Sequence, residues 1–436
     1  MTPGARLLRF VRETREEDLP KPALEHARLA VLDWWGVTVG GADEPVARLL
    51  RETTGAPPGP ASVLGTPLRT APLTAAALNG TAAHALDYDD TTTALPGHLT
   101  APILPGLLAV AEARGLGGRP LGSALLLGVE AASRIARGLA PGPVVAGWHA
   151  TTTMGRLGAA AAVGRLLGLD AARLDMAIGL AAIQIGGVQE AFGSMGKPFQ
   201  VGRAAADGLL AALAAEAGVT GPAGILDRDG WARRLSPAWD PARLDEALGT
   251  RWDIDRMFFK RYPCCFATHA AIRGLLAIMP SLGAVAVESV DIEVGPTALQ
   301  VADQRGPTTG LGGKFSLTYC AAAALLRGHV VEDDFTDVAV ADPAARALAE
   351  RVRLVPDPAL DETRARVRVR LASGETRERT ADVAGHDDPA DLRRDLTAKF
   401  RALVAPRLGE PAAARLLAAL EHIDQLDDLR ELQPRP

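Results

Sequence analysis

The chain has 436 residues, a formal net charge of −5, and 48% hydrophobic and 23% charged residues. This length and balance are typical of a globular protein with a large buried core, and they exclude an intrinsically disordered chain. Without a basic excess to neutralise a phosphate backbone, the chain is not expected to bind nucleic acid.

Residues 5–250 predict a large helical domain, because their apolar residues recur at intervals of three and four. Stretches rich in Ala, Leu and Gly, each closed by Gly or Pro, predict helices at 101–114, 120–138, 151–168, 171–187 and 201–217. Several of these stretches are apolar nearly all round. That pattern is typical of helices buried inside a bundle.

From about residue 255 the apolar period changes to two, as at Val290, Ile292 and Val294, which predicts strands. Helical spacing persists at 266–280 and 315–328, and it returns at 391–404 and 411–429. The predicted fold class is therefore mainly α. A large all-helical domain of residues 1–255, completed by 388–436, accompanies a smaller α+β lid domain of residues 256–387. A small-molecule site is expected in the cleft between them.

The three cysteines, Cys264, Cys265 and Cys320, predict neither a disulfide framework nor a metal knuckle, because the number is odd and two are adjacent. Charges interrupt every apolar run near the N-terminus, and no run approaches 18 residues. We therefore expect no signal peptide, no membrane span and a cytoplasmic location.

Five short segments break the apolar background with clustered polar groups. The first, LDYDDT at 86–91 with Gly97-His98 after it, has three acids that could cap a helix, bind a metal or orient a base. It could also be the Asp-rich Mg²⁺ motif of terpene cyclases. That alternative lacks a second acidic motif, and 4% aromatic residues are few for lining a carbocation pocket.

The next two segments each place polar groups at the start of a predicted helix. GWHATTT at 147–153 combines a histidine with hydroxyls, which is typical of an anion site, although a single histidine there is often structural. GSMGKPFQVGR at 193–203 delivers Lys197 from a Gly-rich turn. Its spacing does not fit a nucleotide-binding P-loop and favours a carboxylate partner.

The last two segments are KRYPCCFATH at 260–269 and GKFSLTYC at 313–320. The adjacent cysteines could act as a nucleophile or a redox pair, but buried packing is favoured. Only five of the 47 basic residues are lysines, and Lys197, Lys260 and Lys314 fall inside these segments. Since burial can lower the pKa of a lysine, its retention indicates proton chemistry or a tight site.

Taken in order, the five segments resemble the pattern of the MmgE/PrpD family over most of the chain, from about residue 5 to 430. That family includes 2-methylcitrate dehydratase, cis-aconitate decarboxylase and iminodisuccinate epimerase. The resemblance implies a helical domain built from both chain ends, a lid domain from the middle and usually a homodimer. It also implies a small polycarboxylate substrate and no metal or organic cofactor.

The resemblance also implies a set of active-site positions. They are Asp87, Thr91, His98, His149, Lys197, Lys260 and Tyr319, to which Arg203, Cys265 and Lys314 are added as predicted substrate contacts. Cys265 stands where the decarboxylase branch has a second histidine, and Thr92 and Gln200 stand where a histidine is frequent. These departures leave the substrate open.

The predicted reaction is the dehydration of a 2-methylcitrate-like polycarboxylate by proton abstraction alpha to a carboxylate. In this hypothesis His98 and His149 transfer protons, Lys197 and Lys260 hold carboxylates, and Asp87 orients one of them. Tyr319 would complete the site from the lid. Epimerisation of an iminodisuccinate-like acid and decarboxylation of cis-aconitate are alternatives that use the same groups.

Two further alternatives are a non-catalytic helical binding protein and an iron–sulfur hydratase. The first predicts loss of the polar segments, which are kept, and the second fits poorly with two adjacent cysteines. The Arg-, Ala- and Gly-rich composition suggests a bacterial gene.

Overall fold

The computed structural model describes residues 1–95, 97–282, 286–384 and 389–432. It is mainly α-helical with a small mixed sheet in its C-terminal half, which confirms the predicted fold class. The first half contains α1 (Pro3–Glu13), α2 (Lys21–Gly40), α3 (Pro45–Thr54), β1 (Pro58–Ser62), β2 (Arg69–Thr70), α4 (Pro72–Ala85), β3 (Thr91–Thr92), α5 (Thr100–Arg114), α6 (Gly118–Leu139), α7 (Gly142–Val145), α8 (Ala150–Leu166), α9 (Ala171–Ala182), α10 (Gly196–Glu216) and α11 (Asp229–Leu235).

The second half begins with a short strand and continues with helices around a four-stranded sheet. Its elements are β4 (Met257–Phe258), α12 (Phe266–Ile278), β5 (Val287–Val294), α13 (Pro296–Ala302), α14 (Gly310–Gly313), α15 (Leu317–Arg327), α16 (Asp337–Ala341), α17 (Pro343–Ala349), β6 (Val352–Pro356), β7 (Arg364–Leu371), β8 (Thr376–Asp382), α18 (Pro389–Leu408) and α19 (Glu410–Glu421).

The helices α4, α5, α8 and α10 form the centre of the first half. Nearly every residue of α5 and α8 is buried, as their apolar sequences predict. Small residues let the helices approach closely: a Cβ on Gly202 of α10 would lie 2.1 Å from Thr81 Oγ1 of α4. This contact fixes which face of α10 turns towards α4.

The sheet of the second half has the strand order β6-β5-β7-β8, with β5 parallel to β6 and antiparallel to β7. Val290, Ile292 and Val294 point to the buried face and alternate with partly exposed residues, as the period of two predicts. On that face the strands pack against α12 and α15.

Two hydrophobic clusters result from this arrangement. One combines residues 7–257 with the C-terminal helices, for example through Phe400 and Leu420, and the other lies within residues 264–371. The predicted division into two domains agrees with these clusters but stays a prediction. Its boundary at 387 and 388 lies outside the described residues.

Two predicted helices end earlier than their apolar patterns indicate. The stretch 171–187 is helical only to Ala182, Ile183 is the C-cap, and the left-handed φ of +105° at Gly187 lies in the turn that follows. The stretch 411–429 is helical to Glu421 and continues in short 3₁₀ turns. The short strands β1, β2 and β3 in the helical half were not predicted. Among the residues that the structure describes, no helix combines the length and apolarity required to cross a bilayer.

Candidate active site

A pocket lined by residues from both halves of the chain lies where the two hydrophobic clusters meet. Its polar lining includes many of the predicted residues, and its apolar lining comes largely from three phenylalanines. The lining residues are Asp87, Thr91, Thr92, Thr93, Gly97, His98, His149, Thr151, Phe192, Lys197, Cys265, Phe266, Ala267, Thr297, Val301, Phe315 and Glu362.

Three helices begin at this pocket. His149 is the N-cap of α8, Lys197 is the second residue of α10, and Cys265 is the N-cap of α12. Each helix carries partial positive charge and unpaired N–H groups at its N-terminus. The convergence of three such ends favours a negatively charged ligand.

Asp87 is the centre of the charged groups. Lys197 Nζ donates to its Oδ1, and Lys260 Nζ lies 3.2 Å from the same oxygen and 2.7 Å from the Asp87 backbone oxygen. The antiparallel pair β3–β4 brings the Lys260 segment alongside Thr91. Although burial opposes ionisation, the two lysines hold the pKa of Asp87 well below its ordinary value. The carboxylate is therefore ionised, and both lysines have a counterion.

The backbone of Asp87 has a φ of +51°, in the left-handed region that aspartate tolerates better than most residues. This conformation ends α4 and turns the carboxylate into the pocket. Lys314 secures the turn, because its Nζ donates to Leu86 O at 2.6 Å and to Pro263 O at 2.9 Å.

Lys197 is the one lysine or arginine, among the described residues, that lines the pocket. Its Nζ lies 5.2 Å from the ring centroid of Phe192 and 5.0 Å from that of Phe315. Aromatic faces attract a cation and keep water away from it. The ammonium group is thus held at the pocket wall, where it can meet a carboxylate.

The tautomer of His98 follows from its neighbours. Its Nδ1 lies 2.6 Å from the backbone oxygen of Asp90, which can only accept a hydrogen bond, and 3.2 Å from Asp89 Oδ2. Nδ1 therefore carries the proton. Burial lowers the pKa of His98, so the ring is neutral and its bare Nε2 lies 4.0 Å from Asp87 Oδ1. An unprotonated nitrogen in this position can act as a base.

The prediction did not include His84, whose Nδ1 lies 2.8 Å from Asp89 Oδ2. Burial lowers the pKa of His84 to about 4, so a neutral ring donates to an ionised Asp89. Ligand atoms of His84, Asp89 and His98 lie within 4.8 Å of one another, close enough to share a cation. However, both histidines use these same Nδ1 atoms as hydrogen-bond donors, which fits a hydrogen-bonded support for His98 better than a metal site.

His149 closes the opposite side of the pocket. Its backbone N–H donates to Gly187 O at 3.1 Å, and its Nδ1 lies 2.7 Å from Gln200 Nε2. Burial, followed by the charge of Lys197, holds the pKa of His149 well below its ordinary value. Its ring is therefore neutral beside Lys197.

Thr91 and Cys265 also lie in the pocket, as predicted. Thr91 Oγ1 donates to Gly97 O at 3.2 Å, so its hydroxyl proton is already engaged. Burial, followed by the charge of Asp87, raises the pKa of Cys265 to about 11. A neutral thiol at this position contributes packing and shape rather than a nucleophile.

The structure does not bring four of the predicted residues into the lining of this pocket. Lys260 is buried, and its Nζ contacts the carboxylate and backbone oxygens of Asp87 instead. Tyr319 is buried in the second cluster and donates to Asp334 O, and burial raises its pKa to about 12. Lys314 Nζ donates hydrogen bonds to two backbone oxygens and to Glu332 Oε2 at 3.1 Å, so it has no N–H left for a ligand. Arg203 is half exposed and pairs with Asp207, because the Gly202 contact turns it away from the pocket. We therefore leave Tyr319, Lys314 and Arg203 out of the proposed site, and Lys260 belongs to it only as a partner of Asp87.

Lys399, on the C-terminal helix α18, supports the site from behind. It pairs with Asp33 of α2 at 2.7 Å and donates to the backbone oxygens of Tyr88 at 2.7 Å and Lys260 at 3.2 Å. Its ammonium lies 3.8 Å from the centroid of the Tyr88 ring. One buried cation thus ties α2 to the two chain segments, around Tyr88 and Lys260, that lead into the pocket.

Replacing Lys399 with methionine is expected to cost about 3–5 kcal/mol of unfolding free energy at pH 8, because it leaves Asp33 buried without a cation. Burial already raises the pKa of Asp33, so the loss should shrink as the pH is lowered and the acid takes up a proton. The double variant with Asp33→Asn should recover part of the loss. A Lys399→Met loss below about 1 kcal/mol in urea unfolding would show that the pair is not structural.

Asp90 should make stability depend on pH. Burial, followed by the charge of Asp89, raises the pKa of Asp90 to about 7, so the folded state keeps a proton that the unfolded chain loses near pH 4. Its contribution is complete at low pH and disappears as the pH rises through 7. Relative to wild type, Asp90→Asn should gain about 3 kcal/mol between pH 5 and pH 8, on top of a constant offset. Asp427→Asn, at an exposed position, is the control and should show no such change.

Two protein-family models and several known proteins match this chain over most of its length. Residues 5–244 match the model of the MmgE/PrpD N-terminal domain, and residues 262–425 match that of the C-terminal domain. A cis-aconitate decarboxylase-like protein of Aspergillus oryzae, oryM, is 27% identical over 98% of this chain and 96% of its own. The cis-aconitate decarboxylases of Homo sapiens and Aspergillus terreus are 27% and 26% identical, over 84% and 95% of this chain and 80% and 92% of theirs.

Proposed function

Because the chain belongs to the MmgE/PrpD family, we propose that it is a lyase that eliminates water from a small carboxylic acid of the 2-methylcitrate type. The observation that carries the proposal is the pairing of a bare His98 Nε2 with the Lys197–Asp87 ion pair in a pocket where three helices begin. A base and a fixed cation are what proton abstraction next to a carboxylate requires.

In the proposed reaction, the substrate carboxylate binds Lys197 and the helix N-termini. His98 takes the proton from the neighbouring carbon, and the cation stabilises the negative charge that develops on the carboxylate oxygens. The hydroxyl on the next carbon accepts a hydrogen bond from the ring of His149 and leaves as water with the proton returned from His98. Every proton is accounted for, and no external acid is consumed.

Decarboxylation is the second candidate, and it is supported by the names of the relatives. It requires a proton donor for the carbon that loses CO₂ but no base to remove a C–H proton. A neutral His98 with an unprotonated Nε2 can accept a C–H proton but has none to donate from that nitrogen, so it fits elimination better than decarboxylation. Cys265, in place of the histidine of the decarboxylase branch, is a further reason to rank elimination first.

We also propose a homodimer that buries exposed apolar side chains of residues 183–210, which run from the end of α9 into α10. Large side chains of this region face outward without cover in one chain; they are Ile183, Val188, Met195, Phe199 and Leu210. Several large exposed apolar side chains in one part of the chain are typical of an interface. A monomer mass by light scattering at micromolar concentration would contradict the proposal.

The test is an assay with 2-methylcitrate and cis-aconitate in D₂O, run with EDTA and again with added Zn²⁺ or Mg²⁺. We expect 2-methylcitrate to yield an alkene absorbance in EDTA, without release of CO₂. Release of CO₂ from cis-aconitate alone would favour the second candidate. Turnover that appears only with an added cation would assign the cluster of His84, Asp89 and His98 to a metal, and no turnover of either acid would contradict the proposed function.

A further inference from the structure

We propose that Gln200 is a positioning residue that fixes His149 in the tautomer with its proton on Nε2. The hydrogen-bond geometry of α10 and of the turn at 186–188 carries this inference. Only its kinetic consequence rests on the proposed function.

The orientation of the Gln200 amide is determined by the backbone of Val188. The Val188 N–H donates to Gln200 Oε1 at 3.1 Å, and Gln200 Nε2 donates to Val188 O at 3.2 Å. Reversing the amide would place its NH₂ group against the Val188 N–H, donor against donor, and its oxygen against the Val188 carbonyl oxygen, acceptor against acceptor. The NH₂ group therefore faces the imidazole.

His149 must accept the second proton of that NH₂ group. Gln200 Nε2 lies 2.7 Å from His149 Nδ1, and an amide NH₂ can only donate. Nδ1 is thus the unprotonated nitrogen of a neutral ring, and Nε2 carries the proton. His149 lines the pocket with a ring that donates, whereas His98 has its proton on Nδ1 and presents a bare Nε2. The two histidines are held in opposite tautomers.

The surrounding turn is built to hold this contact. Gly187 has a φ of +105°, and a Cβ there would lie 2.0 Å from Thr152 Oγ1 and 3.2 Å from Gln200 Oε1. The same glycine accepts the His149 backbone N–H, so one turn fixes both the ring and its partner. Unlike an imidazole, an amide at position 200 does not titrate, so it remains a donor at every working pH.

The first measurement needs no substrate. Ring-nitrogen spectra of protein labelled with ¹⁵N-histidine, with His149→Gln to identify the resonances, report which nitrogen of His149 is protonated. We expect a bare Nδ1 and a protonated Nε2 in the wild type. In Gln200→Glu, a carboxylate replaces the donor, so the proton should appear on Nδ1. Gln200→Met offers neither donor nor acceptor, and its signals should lose the single fixed tautomer.

The second measurement is kinetic. Gln200→Glu should lower kcat at least about tenfold, as a wrong tautomer does in other enzymes, while KM stays within about threefold because Lys197 is untouched. Gln184→Glu, an exposed change of the same kind, is the matched control and should alter neither.

A wild-type Nδ1 that is protonated would overturn the proposal, and so would His149 signals that are unchanged in both Gln200 variants. If no acid is turned over, the proposed function fails while the spectra still decide the role of Gln200. Thermal unfolding of each variant separates a folding defect from a change of tautomer.

Discussion

Replacing Lys197 with methionine is expected to reduce kcat/KM by about 10³-fold, the effect of removing one fixed group that stabilises developing charge. Lys197 is the cation at the pocket wall, held between Phe192 and Phe315 and paired with Asp87. The fold should persist, because Lys260 remains 3.2 Å from the Asp87 carboxylate. Methionine keeps the length and apolar stem of the side chain, so the charge is the main loss.

Arg203→Met is the matched control for this experiment. Arg203 lies on the same helix, is half exposed and pairs with Asp207 instead of facing the pocket. Its removal should change kcat/KM by less than about threefold, which is typical of a surface ion pair. A Lys197→Met enzyme within fivefold of wild type, or an Arg203→Met enzyme that loses as much as Lys197→Met, would contradict the proposed site.

Replacing His98 with glutamine should lower kcat by about 10²–10⁴-fold, the usual contribution of a general base. Glutamine can keep a donor towards Asp90 O but has no nitrogen that can accept a proton. Deuterium uptake from D₂O into recovered substrate should fall in parallel, because it reports the same proton transfer. The KM should change little, since the carboxylate site at Lys197 is intact.

The control for His98 is His329→Gln, which changes an exposed histidine and should leave turnover as in wild type. If His98→Gln exchanged deuterium at the wild-type rate, another group would have to be the base. His84 would then be the next candidate to test, since its buried Nε2 has no hydrogen-bond partner among the residues that the structure describes.

The elements around the pocket can be predicted from sequence because their physical cause is local. A run of alanine and leucine between glycines is a buried helix whatever its partners are, as α5 and α8 demonstrate. The positions of Asp87, His98, Lys197 and Lys260 are different. They lie up to 173 residues apart and meet through helix packing and the β3–β4 pair, so only the family resemblance could group them.

The wrong and missed predictions of site residues have a common reason. A local sequence pattern does not determine which partner a side chain contacts in the folded protein. Lys197 and Lys314 both follow a glycine turn. Lys197 contacts the Asp87 carboxylate in the pocket, whereas Lys314 donates to three acceptors outside the pocket. Arg203 and Gln200 are one turn apart on α10, yet Arg203 pairs with Asp207 at the surface whereas Gln200 contacts His149, which lines the pocket. His84 lies among alanines, a setting that indicates core, so its contact with Asp89 was missed.

The buried Lys399 also has a consequence for how the protein is made. Its contact with the Lys260 backbone spans 139 residues, so at about 5–20 residues per second the ribosome delivers the two partners roughly 7 to 28 s apart. During that interval the nascent helix α2 holds Asp33 without its cation. The pocket can therefore take its final form only after Lys399 has been synthesised, and a chain released before that residue would lack the cation that ties these segments together.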